Sequence, residues 1–323
     1  MYKVQFVEYF MDSPITESIV SASLTVSTEL YDAVLFDCDG VLYQSSTVLP
    51  GAIETVAQLH EENIQVKFVT NSSTKSRHQL FSKLKKLGFT HIEMKDCFPT
   101  SFATASFLHN RGIKKVYVIG EQGLVDELQA VGIVVFGGPC DSGKTMSDSA
   151  FIEVGNSSTD FSDIDAVVVG YDQCFNYYKL AIACMCFQKN DSCVLIATND
   201  DRHDRIGSKW LIPVNGCALA AVVHAVNCLD NHRNVQPIVI GKPNRVFGDL
   251  VLSSFTAIES VDRNRVLMIG DKIETDIAFG NNCGFQTCLV LTGCVTAIEP
   301  NSKPAHHVLS DLTCMNVRSS IRH

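Results

Sequence analysis

The chain lacks a basic excess, a long apolar run and any basic segment at its start. Its 26 Lys and Arg residues are outnumbered by 35 Asp and Glu residues, which gives a net charge of −9. Because there is no basic excess to neutralise phosphates, we expect no nucleic-acid partner. No apolar run reaches the roughly 18 residues of a membrane span, so we expect no membrane partner. The first segment carries Glu8, Asp12 and Glu17, which is not the pattern of a secretory signal.

The chain also has no C-x-x-C pair. The thirteen cysteines are an odd number and are scattered along the chain, with Cys184 and Cys186 as the nearest two. Zinc sites group Cys with Cys or His at short spacing, and no such group is present. We therefore expect reduced thiols in a cytoplasmic protein rather than a secreted disulfide framework. A composition of 46% hydrophobic and 19% charged residues is typical of a globular enzyme.

Strand-like and helix-like patterns alternate from residue 29 onward. This alternation predicts an α/β fold with a mostly parallel sheet. The predicted strands are 34–37, 66–70, 116–119, 166–169, 194–198, 238–240, 266–269 and 287–291. The predicted helices are 52–62, 75–87, 102–109, 124–131, 179–188 and 219–229, with two more that start at 246 and 275.

Two polar breaks, at 110–112 and 230–236, divide this pattern. We interpret them as the limits of an inserted domain. Residues 31–112 and 237–323 are predicted to form a Rossmann-like parallel-sheet core, and residues 113–236 a second, inserted α/β cap. Residues 1–30 are predicted to be a lead-in. Ligands of an open parallel sheet bind beyond the carboxyl ends of its strands, so those ends are where a site is expected.

Polar groups follow four of the predicted strands. Asp37 and Asp39 come after the first, and the sequence Thr70-Asn71-Ser72-Ser73 comes after the second. Lys242 and Asp271 follow two later strands. Paired carboxylates suit nucleophilic attack and proton transfer. Hydroxyls and a lysine can hold a phosphoryl group, and facing carboxylates suit Mg²⁺. Taken singly, each group is common in turns and helix caps. Together and in order, they predict metal-assisted phosphoryl transfer.

These segments resemble haloacid dehalogenase-like phosphatases that carry a large inserted α/β cap. That group includes phosphoglycolate phosphatases, pyridoxal phosphate phosphatases and 4-nitrophenylphosphatases. The resemblance runs from about residue 31 to about residue 311. It is carried by Phe-Asp-Cys-Asp-Gly-Val-Leu at 36–42, the Thr-Asn-Ser-Ser segment at 68–77, Ile-Gly-Lys-Pro at 240–243 and Gly-Asp-Lys-Ile-Glu-Thr-Asp at 270–276. Gly-Tyr-Asp at 170–172 and the segment 197–201 resemble the family's cap.

The resemblance implies a role for each matching residue. Asp37 would be the nucleophile, and Asp39 the general acid and then the general base. Mg²⁺ would be held by Asp37, by the backbone carbonyl of Asp39 and by Asp271, with Asp276 bracing those ligands through hydrogen bonds. The residues that would hold the phosphoryl group are Thr70, Asn71, Ser72 and Lys242. The resemblance also implies a homodimer formed through the cap and a small phosphorylated metabolite as substrate.

The cap departs from the family pattern. Asp172 and Cys174 are its candidate specificity residues, and Cys174 stands where the family usually has a His that reaches the substrate. Pro213-Val214-Asn215-Gly216 replaces a Pro-Gly-x-Gly turn, and 203–205 reads His-Asp-Arg where a Pro is usual. We therefore expect an altered substrate choice. Asn-Gly-Cys at 215–217, followed by an Ala- and Val-rich helix, favours 2-phosphoglycolate, with pyridoxal 5′-phosphate second.

Two other interpretations stay open at the level of sequence. Residues 138–145 fit the nucleotide-binding pattern G-x-x-x-x-G-K-[ST], which would make the chain a P-loop NTPase. Pro139 removes a backbone N–H that a phosphate cradle would use, which weighs against that reading. The third interpretation is a catalytically inactive binding or regulatory protein on the same fold.

Overall fold

A computed structural model of the chain describes residues 21, 23–146, 161–206, 210–229, 234–255, 262–293 and 305–318. Within these ranges the architecture is α/β, as the sequence predicts. The strands are β1 (Leu24–Val26), β2 (Ala33–Phe36), β3 (Tyr43–Gln44), β4 (Thr47–Val48), β5 (Gln65–Thr70), β6 (Cys97–Pro99), β7 (Lys115–Ile119), β8 (Val134–Gly137), β9 (Ala166–Val169), β10 (Val194–Ala197), β11 (His203–Ile206), β12 (Trp210–Pro213), β13 (Ile238–Val239), β14 (Val266–Gly270), β15 (Gln286–Val290), β16 (His307–Leu309) and β17 (Met315–Val317). The helices are α1 (Ala52–Glu61), α2 (Arg77–Lys86), α3 (Thr100–Asn110), α4 (Gln122–Ala130), α5 (Tyr177–Lys189), α6 (Asn215–Asn227), α7 (Arg245–Ser253) and α8 (Ala278–Cys283).

The first sheet has six strands in the order β16-β15-β14-β2-β5-β6, and all its neighbours are parallel. Its central strand β2 reads Ala-Val-Leu-Phe and is buried along its whole length. Continuous apolar runs of this kind are typical of parallel strands covered on both faces. Because β2, β5 and β14 run in one direction, their carboxyl ends meet at one edge of the sheet. The predicted polar groups follow three of these ends.

The second sheet has five parallel strands in the order β13-β10-β9-β7-β8. It includes β13, which lies after residue 237 and therefore beyond the predicted end of the cap. The amide of Ile240 donates to the carbonyl of Ala197 (2.9 Å), and that of Gly241 donates to Thr198 (2.8 Å). The segment that leads to Lys242 is thus bonded to the second sheet. The domain limits 31–112, 113–236 and 237–323 themselves stay a prediction.

Other elements differ from the sequence-based expectation. Part of the predicted lead-in, 1–30, belongs to the fold, because β1 pairs in parallel with β17 near the other end of the chain. Residues 1–20 lie outside the described residues. The helix expected from residue 275 opens with a π-helical turn, Ile273–Ile277, before α8 continues it. This turn brings Asp276 against Gly270, where a Cβ would lie 2.0 Å from that of Asp276.

Among the described helices, none combines the length and the apolar character that crossing a bilayer would take. The cysteines of the described ranges are free thiols, and six of the twelve are buried. Buried thiols of this kind act as small apolar side chains.

Candidate active site

Asp37 and Asp39 lie in the turn that follows β2 and line a cleft of ≈ 340 Å³. Asp37 extends the strand, since its amide donates to the carbonyl of Ile269 (2.9 Å), and its side chain is buried. Gly40 adopts a φ of 86°, which turns the chain away from the sheet after Asp39. The Asp39 side chain is 57% exposed and faces the cleft. One carboxylate is therefore enclosed and the other is open to a ligand.

Lys242 reaches from the second sheet to the enclosed carboxylate. Its Nζ lies 2.5 Å from Oδ1 of Asp37, 2.6 Å from Oδ1 of Asp276 and 3.0 Å from the carbonyl of Val69. The contacts with Asp37 and Val69 are hydrogen bonds, and the contact with Asp276 is an ion pair. Burial lowers the pKa of Lys242, but the carboxylates of Asp276 and Asp37 outweigh it and the pKa is raised. Lys242 is therefore a fixed positive charge beside Asp37.

Three buried carboxylates, those of Asp37, Asp271 and Asp276, converge with oxygens within 4.8 Å of one another. Three negative charges against the one ammonium of Lys242 leave two unbalanced, the charge that a divalent cation carries. Burial and the carboxylates of Asp276 and Asp271 raise the pKa of Asp37, while Lys242 opposes the rise. Buried carboxylates that lie close together need a positive charge near them to stay ionised. The cluster therefore fits a divalent metal ion bound by hard oxygen ligands.

Two glycines give Asp271 its place in this cluster. A Cβ at Gly40 would lie 2.5 Å from Oδ2 of Asp271, and a Cβ at Gly293 would lie 1.9 Å from it. Neither position has room for a larger residue while Asp271 holds this orientation. Asp276 is engaged at both oxygens: Oδ1 with Lys242, and Oδ2 with the amides of Asp271 (3.2 Å) and Lys272 (3.0 Å). Asp276 therefore braces the cluster, which leaves Asp37 and Asp271 as the better-placed metal ligands.

The segment after β5 forms one wall of the cleft. Oγ1 of Thr70 accepts from the amide of Ser72 (3.1 Å), and the hydroxyls of Ser72 and Thr74 are 3.1 Å apart. The helix α2 follows this turn and begins directly after Ser76. The Ser76 hydroxyl accepts from the amide of Gln79, and the Gln79 side chain accepts from the amide of Ser76. Such a capping box fixes where the helix starts. Thr70 and Ser72, for which the sequence predicts phosphoryl binding, thus line the same cleft as Asp37.

Asn71 lines the same cleft but its side chain is bound elsewhere. Its Oδ1 accepts from the amide of Lys242 (2.8 Å), and its Nδ2 donates to the carbonyl of Lys242 (3.0 Å) and to both oxygens of Asp201 (3.1 and 3.2 Å). An amide group engaged in this way has no further proton for a phosphoryl oxygen. The Asn71 side chain therefore braces the cleft wall against Lys242 and Asp201, and the phosphoryl-binding role of Asn71 stays a prediction.

Asp39 sits among charged groups at the mouth of the site. Burial against the cleft walls raises the pKa of Asp39, Lys83 and Lys75 oppose that rise, and Asp204 adds to it. The Lys83 ammonium is 3.9 Å from Oδ1 of Asp39 and lies 3.5 Å from the centre of the Tyr43 ring. A carboxyl group with a raised pKa retains a proton more readily, as a general acid requires.

The structure does not bring Asp172 and Cys174 into the cleft. Oδ2 of Asp172 is 2.6 Å from the ammonium of Lys179, and both side chains are buried. Oδ1 of Asp172 accepts from the amide of Cys174 (2.9 Å), whose thiol is exposed away from the lining. The specificity role predicted for these two residues finds no support in the lining of the described cleft, which includes neither of them. The cap residues that do line the cleft include Tyr171, Asn199, Asp201, His203, Asp204 and Asn215.

The geometry of residues 138–146 differs from that of a P-loop. Residues Gly138–Asp141 form a short 3₁₀ turn, and no helix begins at residues 144–146. The ammonium of Lys144 is 2.7 Å from Oδ1 of Asp141 and lies over the Tyr178 ring. A P-loop lysine opens a helix and projects toward the phosphates. Lys144 instead pairs within its own turn, outside the cleft that holds the carboxylates.

Comparison with known proteins identifies the class. Residues 34–134 match the family model described as haloacid dehalogenase-like hydrolase, and residues 239–314 match the model described as HAD-hydrolase-like. The chain belongs to the haloacid dehalogenase-like hydrolase family, and its relatives make it a phosphatase.

The individual relatives span most of the chain. Phosphoglycolate phosphatase 2 of Arabidopsis thaliana is 39% identical over 267 residues, which cover 81% of this chain and 83% of that protein. Glycerol-3-phosphate phosphatase of Rattus norvegicus is 35% identical over 279 residues, covering 83% and 81%. The solved structure of p-nitrophenyl phosphatase from Archaeoglobus fulgidus matches with a TM-score of 0.70 and 26% identity, over 88% of this chain and 97% of that one.

Proposed function

We propose that the chain is a Mg²⁺-dependent phosphatase that hydrolyses a small phosphate monoester through an aspartyl-phosphate on Asp37. The observation that carries the proposal is the buried cluster of Asp37, Asp271 and Asp276, with Lys242 bound to two of these carboxylates and Asp39 open to the same cleft. A nucleophile, a cation, a metal site and a proton donor thus share one cleft. The same quartet argues against a catalytically inactive protein.

The chain's own residues account for two successive steps. In the first, a carboxylate oxygen of Asp37 forms a bond to phosphorus, and the bond to the leaving oxygen breaks while Asp39 donates its proton to that oxygen. In the second, Asp39 takes a proton from water, which attacks the same phosphorus and restores the carboxylate of Asp37 with release of phosphate. The hydroxyls of Thr70 and Ser72 hold the phosphoryl oxygens, and the positive charge of Lys242, beside Asp37, stabilises the negative charge on them. A bound Mg²⁺ would neutralise charge between the nucleophile and the phosphoryl group.

The proposed substrate is 2-phosphoglycolate, with pyridoxal 5′-phosphate second. The Arabidopsis relative, at 39% identity, is named a phosphoglycolate phosphatase. A cleft of ≈ 340 Å³ suits a small monoester, and its lining is mostly polar and includes Lys272. A lysine in the lining supports a leaving group that carries a carboxylate.

Phosphate release from a panel of monoesters tests the proposal. The panel contains 2-phosphoglycolate, pyridoxal 5′-phosphate, glycerol 3-phosphate and 4-nitrophenyl phosphate, each with Mg²⁺ and with EDTA, and ATP as the substrate of the alternative. We expect release from monoesters that EDTA abolishes, with the highest kcat/KM for 2-phosphoglycolate. Release from ATP alone, or release that EDTA leaves unchanged, would contradict the proposal.

Metal binding has a readout besides activity. Mg²⁺ at 100 times its Kd is expected to stabilise the protein by about 2.7 kcal/mol, which raises Tm by several degrees in a chain of this size. Asp271→Asn removes one ligand charge, so most of this rise in Tm should disappear in that variant. Asp172→Asn is the matched control, because its carboxylate is equally buried against Lys179 but lies outside the cluster. Both variants are followed by differential scanning fluorimetry with Mg²⁺ or EDTA; an unchanged rise in Asp271→Asn would exclude this metal site.

The cap-mediated homodimer and the cytoplasmic location are part of the same proposal. On the β11–β12 hairpin, Trp210 is 72% exposed and Leu211 is 57% exposed, which supports a partner at this surface. The free thiols of the described residues support a reducing compartment. A sedimentation mass equal to that of one chain would contradict the dimer.

A further inference from the structure

Asn71 connects the cap loop that follows β10 to the backbone of Lys242. Asp201 of this loop binds the Asn71 amide, and the Asn71 amide binds the backbone of Lys242 on both sides. We propose that Asp201 is a positioning residue, which fixes the Lys242 ammonium against Asp37 by way of Asn71. The inference rests on the proposed function, because it assigns a role within that reaction.

The orientation of the Asn71 amide is set by the Lys242 backbone. The Lys242 amide donates to Oδ1 at 2.8 Å, and the Lys242 carbonyl accepts from Nδ2 at 3.0 Å. A flipped amide would set donor against donor and acceptor against acceptor. The second proton of Nδ2 is directed to Asp201 at 3.1 and 3.2 Å. Asp201 therefore completes the set of bonds that keeps Asn71 paired with Lys242.

Asp201 can do this because the cap holds its backbone rigidly. Its carbonyl accepts from the amide of Gly216 (2.7 Å), and its amide donates to Oδ1 of Asn199 (3.2 Å). A Cβ at Gly216 would lie 2.7 Å from the Asp201 carbonyl, so only glycine allows this approach. Nδ2 of Asn199 in turn donates to the carbonyl of Asn71 (2.8 Å). The loop and the wall of the cleft are thus joined by side chains from both.

The position of Lys242 needs such support. Its Nζ must meet Asp37, Asp276 and the Val69 carbonyl at 2.5 to 3.0 Å, whereas its backbone is bonded to the second sheet through Gly241. A displacement of about 1 Å at a catalytic group can reduce the rate about 100-fold. Because Asn71 is bonded to both the loop and Lys242, it transmits the position of the cap to the ammonium group.

The test compares Asp201→Ala, Asp201→Asn and Glu127→Ala. We expect Asp201→Ala to lower kcat by about 10- to 100-fold for every monoester that the wild type hydrolyses, with little change in KM. Asp201→Asn keeps an oxygen that accepts from Asn71 and should restore most of the activity. Glu127 is the matched control: another cap carboxylate, which binds the Arg77 amide (2.5 Å) at the start of α2, just beyond the cleft wall. Its replacement should leave kcat unchanged.

Three results would overturn the inference. The first is a wild-type kcat in Asp201→Ala. The second is a change in KM confined to one substrate, which would make Asp201 a substrate contact. The third is an equal loss of kcat in Glu127→Ala, which would make cap docking in general the cause. Thermal denaturation of each variant shows that the folded protein is being compared. If the wild type itself releases no phosphate, the proposed function fails; if only the Asp201 pattern is absent, this inference alone fails.

Discussion

Replacement of Asp37 by Asn is expected to lower kcat by at least about 10⁴-fold for every monoester, because the carboxamide is not a nucleophile toward phosphorus. The change keeps the shape of the side chain and removes one of three crowded negative charges, so the fold should be retained. Steady-state phosphate release measures the loss. Circular dichroism and thermal denaturation, with EDTA present, measure the fold.

Asp172→Asn serves as the control for Asp37→Asn. Asp172 is also a buried carboxylate paired with a buried lysine, but it lies outside the cleft. Its replacement should change stability and leave kcat near the wild-type value. Removal of a single oxyanion-hole donor typically lowers kcat by at least about 100-fold. If Asp37→Asn kept more than about one hundredth of the wild-type kcat, Asp37 would not be the nucleophile.

Lys242→Met is expected to reduce both stability and activity. It leaves the carboxylates of Asp37 and Asp276 buried without their ammonium partner, and breaking a buried pair costs about 3–5 kcal/mol. Loss of the positive charge at the phosphoryl site should lower kcat by about 10²- to 10³-fold. Denaturant unfolding and phosphate release, measured on the same preparation with Mg²⁺, report the two effects.

The chain offers a second buried lysine as a matched control for Lys242. Lys179 is fully buried and paired with Asp172 at 2.6 Å in the cap. Lys179→Met should therefore cost a similar free energy of unfolding while the folded fraction keeps its kcat. Equal losses of kcat in the two variants would mean that instability, and not the charge of Lys242, explains the effect.

Much of the site could be predicted because its signals are local. Asp37 and Asp271 each follow a short apolar strand and Thr70 ends one, and parallel strands bring such ends to one edge. The sequence predicts the strand that precedes Lys242, but it does not show that this strand belongs to the second sheet. Pairing partners are non-local, and two β-branched residues such as Ile238 and Val239 suit either sheet.

The bracing contacts of Asn71 and Asp201 could not be predicted, because sequence spacing does not show which polar side chains meet. Asp172 follows a strand as Asp37 does, yet its partner is Lys179 on the next helix, seven residues away. Asp201 and Asn71 are 130 residues apart in the chain. The sequence signals for the cap wall are the segments 170–172 and 197–201 and the unusual His-Asp-Arg segment. The structure places Tyr171, Asn199, Asp201, His203 and Asp204 at the cleft.

The most direct test of the account is to locate the phosphoryl group during turnover. Protein mixed with a monoester and Mg²⁺ is quenched in acid within the first turnover, digested, and examined by mass spectrometry. The account predicts phosphate on Asp37, and none in Asp37→Asn. Phosphate on another residue, or rapid phosphate release with no phosphorylated protein at any time, would contradict it.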